Sequence, residues 1–395
     1  MRRHLWIAAT ALLGACAHAV GDQPPAPVFA DQHFAAPSAT VDVQAVLSLS
    51  PAMRRYLSDH VAAKVTTRGG PYGLIEALYT SGALKLDYDA TVTRNAAEAF
   101  EARSGNCLSL VIMTAAFARE LVIPVQFQSV VTDSYWTREG DVYLSSGHVN
   151  LVLGQRMIDQ RMIDRRGAVA GGGGLTVDFL PSEDLRGQRT RAITEDTILA
   201  MYLNNRAAEH LARGLVNDAY WWAREAIVQS PAFLSAYNTL GVVYLRSGHL
   251  DLAEASFRSV LAVEPANVAA TANLAQVLRS GGHAADALVL ERRLASLESQ
   301  PPYYYFDQGM AALRAGDLAN ARDLFRREID RAAFNHEFHF WLGVTLFYLG
   351  DAAEARKHLD LAGTYAPTTG ERALYAGKLA WMQTAAHRHP RQKIP

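Results

Sequence analysis

The sequence predicts a mixed α+β domain at residues 41–190, followed by an all-helical solenoid at residues 196–371. Two observations predict this division. Small residues recur every 34 positions over the second half of the 395-residue chain. The first half instead has helical patterns followed by runs of strand-forming residues. Hydrophobic residues make up 50% of the chain, which is enough for a core in each part.

The charge balance excludes one class of partner. The chain has 38 basic and 39 acidic side chains, for a formal net charge of −1. Nucleic-acid binding requires a concentrated basic face, and the sequence has none, so we expect no nucleic-acid partner. The histidines of the second half are scattered without ligand-like spacing, so neither a metal site nor a cofactor is expected.

Residues 1–16 have the pattern of an export signal, with Arg2 and Arg3 before a short apolar stretch that ends at Cys16. Roughly ten apolar residues are too few to span a bilayer. The segment resembles a bacterial lipoprotein signal. This resemblance implies that Cys16 becomes a lipid-modified N-terminus, anchored in the cell envelope and facing the periplasm, with the outer membrane favoured. An ordinary secretory signal with an incidental cysteine is the alternative.

Residues 17–40 are rich in Pro, Ala and Gln and predict a flexible tether. The chain has two cysteines, and the signal accounts for one of them. Cys107 therefore has no partner for an internal disulfide. In an oxidising compartment, an unpaired thiol is either buried and inert or retained for its chemistry.

The second half has a regular period. Glycines recur with a spacing of 34, at Gly214, Gly248, Gly282, Gly316 and Gly350. A small residue lies seven positions before each glycine, and an alanine lies five positions after it. Small residues let two antiparallel helices cross closely, and the turn between them needs a residue that tolerates positive φ. The period predicts five helical hairpins, followed by a capping helix and tail at 372–395.

Thirty-four residues is the period of the tetratricopeptide repeat, and the unit from Leu240 to Pro265 resembles that family most closely. The resemblance implies a protein-interaction module whose concave face binds a protein or peptide. On this chain the face would include Asn204, Asn238, Arg246, Arg279, Tyr303, Phe306, Arg314 and Phe340. The three arginines favour a carboxylate-bearing peptide, and an ordinary solvated surface is the equally open alternative.

Cys107 follows a glycine-containing turn and opens an apolar helical run. Free N–H groups and the helix dipole at such a position favour the thiolate form. A thiolate nucleophile needs a base, and the base needs an orienting group. His148 opens a predicted strand, and Asp178 lies on the next one, so the two side chains meet if these strands pair. Each residue alone is more often structural; the three together, in this order, favour a catalytic site.

The segment from Leu86 to Gln128, with Arg103, Gly105 and Cys107, resembles the core of the transglutaminase-like superfamily. This resemblance covers roughly residues 70 to 185 and implies a papain-like fold. It also implies that Cys107 is the nucleophile, His148 the base and Asp178 the orienting group. The sequence departs from the family at Asn150, since a tryptophan often follows the family histidine. It also repeats Gln-Arg-Met-Ile-Asp at 155–159 and 160–164, which we interpret as a duplication in preference to a substrate gate.

The leading hypothesis is therefore an envelope-anchored thiol enzyme that acts on amide bonds, with repeats that recruit a protein or peptide. Hydrolysis and acyl transfer share the same first half-reaction, so the residues leave both open, as they do the substrate. The alternative is a lipoprotein scaffold without catalysis.

Overall fold

The computed structural model of the chain describes residues 24, 26–27, 29–80, 84, 86–89, 92–139, 142–154, 174–179, 189–297, 303–333, 335–366 and 369–386. The predicted signal with Cys16 and the repeated pentapeptides at 155–164 lie outside these residues. The described residues form an α+β part, which runs to residue 193, and a helical part that follows it.

The α+β part begins with helices. They are α1 (Pro51–Tyr56), α2 (Ala62–Arg68), α3 (Gly70–Ile75), α4 (Ala96–Ala102) and α5 (Cys107–Glu120). The first helix, α1, begins at Pro51, because Ser50 caps it and proline favours the first helical turn. Residues 108–118 of α5 are all buried, so this helix is the centre of the core.

A four-stranded antiparallel sheet packs with α5. Its strands are β3 (Val125–Glu139), β4 (Val142–Leu153), β5 (Leu175–Val177) and β6 (Arg189–Ile193), in the order β5-β4-β3-β6. A separate parallel pair consists of β1 (Asp87–Tyr88) and β2 (Ser104–Gly105). The sequence predicts a strand at the place of each of β3, β4 and β5, but β3 continues past the predicted end at Val131, and β4 begins at Val142 and not at His148. Strand β6 is not among the predictions.

The helical part consists of hairpins of antiparallel helices. They are α6 (Glu195–Ala212), α7 (Val216–Gln229), α8 (Leu234–Arg246), α9 (Leu250–Val263), α10 (Val268–Ser280), α11 (Ala284–Leu297), α12 (Tyr304–Arg314), α13 (Leu318–Arg331), α14 (His336–Leu349), α15 (Ala352–Tyr365) and α16 (Thr369–Ala386). The five glycines of the 34-residue period all have positive φ, between 74° and 88°. The predicted helix–turn–helix period is thus confirmed, and α16 follows the fifth hairpin.

The small residues before each turn lie where the two helices of a hairpin cross. A Cβ atom on Gly241 would lie 2.6 Å from the ring of Phe257, and one on Gly309 would lie 2.7 Å from the ring of Phe325. Neither ring has room to withdraw, because both phenylalanines are fully buried. The close approach of the helices therefore requires glycine at these positions.

We expect Gly241→Ala to lower the free energy of unfolding by roughly 1–3 kcal/mol, because the added methyl group overpacks the contact with Phe257. Gly377 in α16 is the matched control, since an added Cβ would meet nothing within 4 Å. Gly377→Ala should leave stability unchanged or raise it by about 0.5–1 kcal/mol. Urea denaturation measures both changes, and equal effects of the two substitutions would contradict this packing.

The repeats do not share one uninterrupted core. Among the described residues, a single core extends from the α+β part through the first three hairpins to Ala287, and a separate one begins at Tyr303. Helix α11 buries Ala287 alone and leaves Leu288 and Val289 about half exposed. Glu291 occupies the position of Phe257 and Phe325 in the second and fourth repeats, and it pairs with Arg279. The five predicted hairpins are therefore present, but their stacking differs between the third and the fourth.

The predicted tether needs correction over its second half. Residues 29–38 pack against the first hairpin of the helical part. The ring of Phe34 stacks on Tyr220 with 4.0 Å between centroids, and the Ala30 N–H donates to the Tyr220 hydroxyl at 2.8 Å. The Ser38 N–H donates to Asp218 at 2.7 Å. Amino-acid composition averages over the whole segment. It therefore does not show that one buried aromatic ring, together with a few backbone hydrogen bonds, holds the second half of the segment in place.

Two histidines form a buried pair between α14 and α15. The Nδ1 atoms of His339 and His358 are 2.9 Å apart, and His339 Nε2 donates to the Ala333 carbonyl at 2.8 Å. A neutral His339 then accepts the Nδ1–H of His358. Burial lowers the pKa of His339, and burial together with the charge of His339 lowers the pKa of His358 to about 4.

This pair predicts acid lability. Because the folded pKa values lie below the unfolded value of about 6.5, the unfolded chain binds protons first as the pH falls. The free energy of unfolding should therefore decrease between about pH 6.5 and pH 4. Replacing the pair by His339→Phe and His358→Leu should reduce that decrease by on the order of 2 kcal/mol in urea denaturation. An unchanged pH dependence would show that the pair does not titrate on unfolding.

Candidate functional site

Cys107 is the first residue of α5, and Asn106 fixes the start of this helix. The Asn106 side chain accepts the Ser109 N–H at 2.9 Å and donates to Thr93 Oγ1 at 3.0 Å. Gly105 is needed just before, because a Cβ there would lie 2.6 Å from Ser109 Cβ. The half-buried Cys107 is thereby held at a helix N-terminus, as the sequence predicts.

His148 and Asp178 meet because β4 and β5 pair. The register joins Leu151 with Val177, so the next residues outward, Asn150 and Asp178, lie opposite each other. His148 shares the strand face of Asn150 and is the diagonal neighbour of Asp178. Its Nε2 lies 2.8 Å and 2.9 Å from the two carboxylate oxygens. The side chains of His148 and Asp178 are only 7% and 10% exposed.

Cys107 is the second polar neighbour of the imidazole. Because Nε2 faces Asp178, Nδ1 is the ring nitrogen left for the interaction with Cys107, which contributes to the raised pKa of His148. Burial lowers the pKa of His148, but the hydrogen bonds to Asp178 and Cys107 and the charges of both outweigh burial and raise this pKa to about 9. The structure thus brings together the three residues that the sequence singles out, with the imidazole between the sulfur and the carboxylate.

Asn150 belongs to the site although the sequence does not predict its contact with Asp178: it is 4% exposed and donates from Nδ2 to Asp178 Oδ2 at 3.0 Å. The available signal was its position two residues after His148, since alternate residues of a strand share one face. Asn150 is also the residue at which the sequence departs from the transglutaminase-like pattern.

The polar residues predicted for the concave face differ in their exposure to solvent and in their hydrogen bonds. Arg246, Arg279 and Arg314 are exposed, and Asn238 accepts a hydrogen bond from Asn273 at 3.1 Å. Asn204 is half-buried.

Three aromatic members of that prediction pack inside the protein. Tyr303 and Phe306 are 4% and 3% exposed, so the prediction that they face a partner is wrong, because both fill the core under α14. Phe340 stacks on Tyr375 of α16 with 4.7 Å between ring centroids, so it supports the last helix.

A cavity of about 620 Å³ opens on the other side of β5. Cys107, His148 and Asp178 do not line it. Its lining is Arg68, Tyr72, Ile75, Glu76, Thr80 and Leu175. Within the described part of the chain, no three His, Cys, Asp or Glu side chains are grouped to hold a metal ion. No helix of that part combines the length and apolar character that a membrane span requires.

A family model for the tetratricopeptide repeat matches residues 238–302 and 306–366. The hairpins of this chain therefore include tetratricopeptide repeats, and the helical part is a scaffold for protein interaction. No curated protein matches the chain.

Solved structures similar to the chain include YrrB, a tetratricopeptide protein with an unusual peptide-binding site. It is 23% identical, with 46% of this chain and 92% of YrrB covered and a TM-score of 0.25. PilF of Pseudomonas aeruginosa is 18% identical, with 48% and 86% covered and a TM-score of 0.28. TTC0263, a tetratricopeptide protein of Thermus thermophilus, is 16% identical, with 46% and 99% covered and a TM-score of 0.28.

We expect Asp178→Asn to lower the pKa of His148 from about 9, because the hydrogen bond and charge of the carboxylate are lost while burial, which lowers this pKa, remains. The measurement is an NMR titration of the His148 Cε1–H signal, assigned by its loss in His148→Gln. Glu209→Gln is the control, since this carboxyl is also half-buried but contacts Thr93 and Arg206 instead. A His148 titration that is the same in Asp178→Asn and the wild type would contradict the site geometry.

Proposed function

We propose that the α+β part is a thiol enzyme of the transglutaminase-like kind, which acts on amide bonds of a protein or peptide held by the repeats. The observation that carries the proposal is the imidazole of His148, with Asp178 at Nε2 and Cys107 as its second partner. A Cys-His-Asp arrangement of this kind supplies a nucleophile, its proton acceptor and an orienting group.

The first half-reaction follows from these positions. The proton of Cys107 moves to Nδ1 of His148, and the thiolate attacks the carbonyl carbon of an amide. The N–H of Cys107 has no acceptor within the helix, because it lies in the first turn, and it is therefore available to hold the developing oxyanion. The C–N bond then breaks, the leaving amine takes the proton from His148, and a thioester remains on Cys107.

The second half-reaction releases the acyl group. His148 removes a proton from water or from an amine, which attacks the thioester, and the C–S bond breaks to return the thiolate. Water gives a carboxylic acid and makes the protein a peptidase or amidase. An amine gives a new amide and makes it an acyltransferase. The described side chains are compatible with both.

Asp178 has a different role in this mechanism, which is to orient His148. It keeps the Nε2 proton on the imidazole, which leaves Nδ1 free to exchange a proton with Cys107. It also stabilises the imidazolium that forms when the thiol is deprotonated. The raised pKa of His148 supports this role, because an imidazolium is the form that a nearby carboxylate and thiolate favour.

The site of action is part of the same proposal. Cys16 would carry the lipid, and the protein would lie in the bacterial envelope, facing the periplasm. The exposed Arg246 and Arg314 supply positive charge on the repeats, which suits a carboxylate-bearing peptide, whereas the charge of Arg279 is already paired with Glu291.

A scaffold without catalysis is the second candidate. The match of the family model favours it, since residues 238–302 and 306–366 account for all the residues matched. In this case Cys107 would be a packed thiol, and the repeats would carry the entire function. The two candidates differ in the reactivity of Cys107 and in its dependence on His148.

We expect iodoacetamide to alkylate Cys107 in the folded full-length protein at pH 6.5, at a rate that falls about tenfold in His148→Ala. Peptide mapping by mass spectrometry separates Cys107 from Cys16. His283→Ala is the control, because this histidine lies exposed in the turn before α11. If Cys107 reacts only after unfolding, or equally fast without His148, the catalytic proposal is wrong and the scaffold remains.

A further inference from the structure

Asn150 lies inside the candidate site, yet no step of the proposed chemistry uses it. It is 4% exposed and lies on β4, two residues after His148 and on the same strand face. Its Nδ2 donates to Asp178 Oδ2 at 3.0 Å. The carboxylate of Asp178 therefore has two identified donors from one strand, the imidazole and this amide.

The pairing of strands β4 and β5 places Asn150 and Asp178 next to each other. Extending the register of β4 with β5 by one pair places Asn150 directly opposite Asp178. Asp178 itself lies just past Val177, the last residue of β5. A side chain beyond the strand end is less constrained by the ladder, so a partner directly opposite is well placed to fix it.

The orientation of the Asn150 amide is determined by charge. Turning the amide over would bring Oδ1 against the carboxylate, and two acceptors cannot share a hydrogen bond. The observed orientation leaves Oδ1 buried, with no hydrogen-bond partner among the described residues. An unpaired buried carbonyl opposes folding, so an aliphatic side chain of the same size would suit this position better if stability alone mattered.

We infer that Asn150 is a positioning residue, which holds the Asp178 carboxylate in the plane and place where it orients His148. This inference rests on the proposed function, since positioning matters only if His148 exchanges a proton with Cys107. The amide contact accounts for the asparagine despite its unpaired oxygen.

The role follows from the changes in charge during the proposed cycle. Asp178 is a buried carboxylate, and its charge is balanced while His148 carries two protons. When His148 gives the Nδ1 proton to the leaving amine, that positive charge is lost. The Nδ2–H of Asn150 remains as a donor that does not titrate, so the carboxylate keeps its position through both half-reactions.

The test compares Asn150→Leu with the wild type in the full-length protein. Leucine has a similar size and removes both the donor and the unpaired oxygen. We expect the pKa of His148, followed by NMR, to fall below about 9, because a carboxylate that Asn150 no longer positions interacts less well with the imidazole, while burial still lowers this pKa. The rate of Cys107 alkylation at pH 6.5 should fall about tenfold. The thermal midpoint should change little, because the loss of a donor to Asp178 is offset by the removal of the unpaired Oδ1.

Gln128→Leu is the matched control. Gln128 faces Asn150 across β3 and β4, so this variant makes the same chemical change at the neighbouring position of the same sheet face. It should change neither the titration of His148 nor the alkylation rate. An unchanged or raised pKa of His148 in Asn150→Leu would overturn the inference. So would lower stability with unchanged reactivity, which is the result expected of a structural residue.

A failure of the inference about Asn150 can be distinguished from a failure of the proposed function. The pKa of His148 depends on the position of the Asp178 carboxylate, whether or not the protein turns over a substrate. If Cys107 reacts as fast in His148→Ala as in the wild type, the catalytic proposal fails by itself. If Cys107 depends on His148 but neither responds to Asn150→Leu, the enzyme proposal stands and the role of Asn150 is excluded.

Discussion

The burial of the Asp178 carboxylate is the constraint on which the candidate site depends. A buried anion requires donors, and β4 supplies them from alternate positions, with Nε2 of His148 and Nδ2 of Asn150. Because the carboxylate occupies one ring nitrogen, the other is left for Cys107. The geometry of all three groups thus depends on the pairing of β4 with β5, a strand of only three residues.

Helix α6 connects the site to the repeats. Glu209 accepts the Thr93 N–H at 2.6 Å, and Thr93 Oγ1 accepts from Asn106, the residue that caps α5. Burial raises the pKa of Glu209, although its bonds to Thr93 and Arg206 oppose this. The first hairpin therefore shares hydrogen bonds and a continuous core with the helix that begins at Cys107. The α+β part and the first three repeats are expected to move as one unit.

The sequence predicted the features that depend on local chemistry. Gly214 and its four periodic equivalents indicate turns with positive φ, and Asn95 with Glu98 indicates the capping box of α4. It could not predict the contact of Phe34 with Tyr220, because a single aromatic residue in a polar segment carries no periodicity. It also missed the break after α11, since the spacing of small residues continues through it unchanged.

The sequence by itself determined the number and type of the helical hairpins, the presence of strands at the places of β3, β4 and β5, and the helix-terminal position of Cys107. These follow from periodicity and capping, which act over a few neighbouring residues. Only the tertiary structure decided that His148 lies between Cys107 and Asp178, that Asn150 holds the carboxylate and that Tyr303 and Phe306 are buried. The register of β5 against β4 and the packing of α12 on α14 join residues far apart in the chain, and no local pattern encodes such pairings.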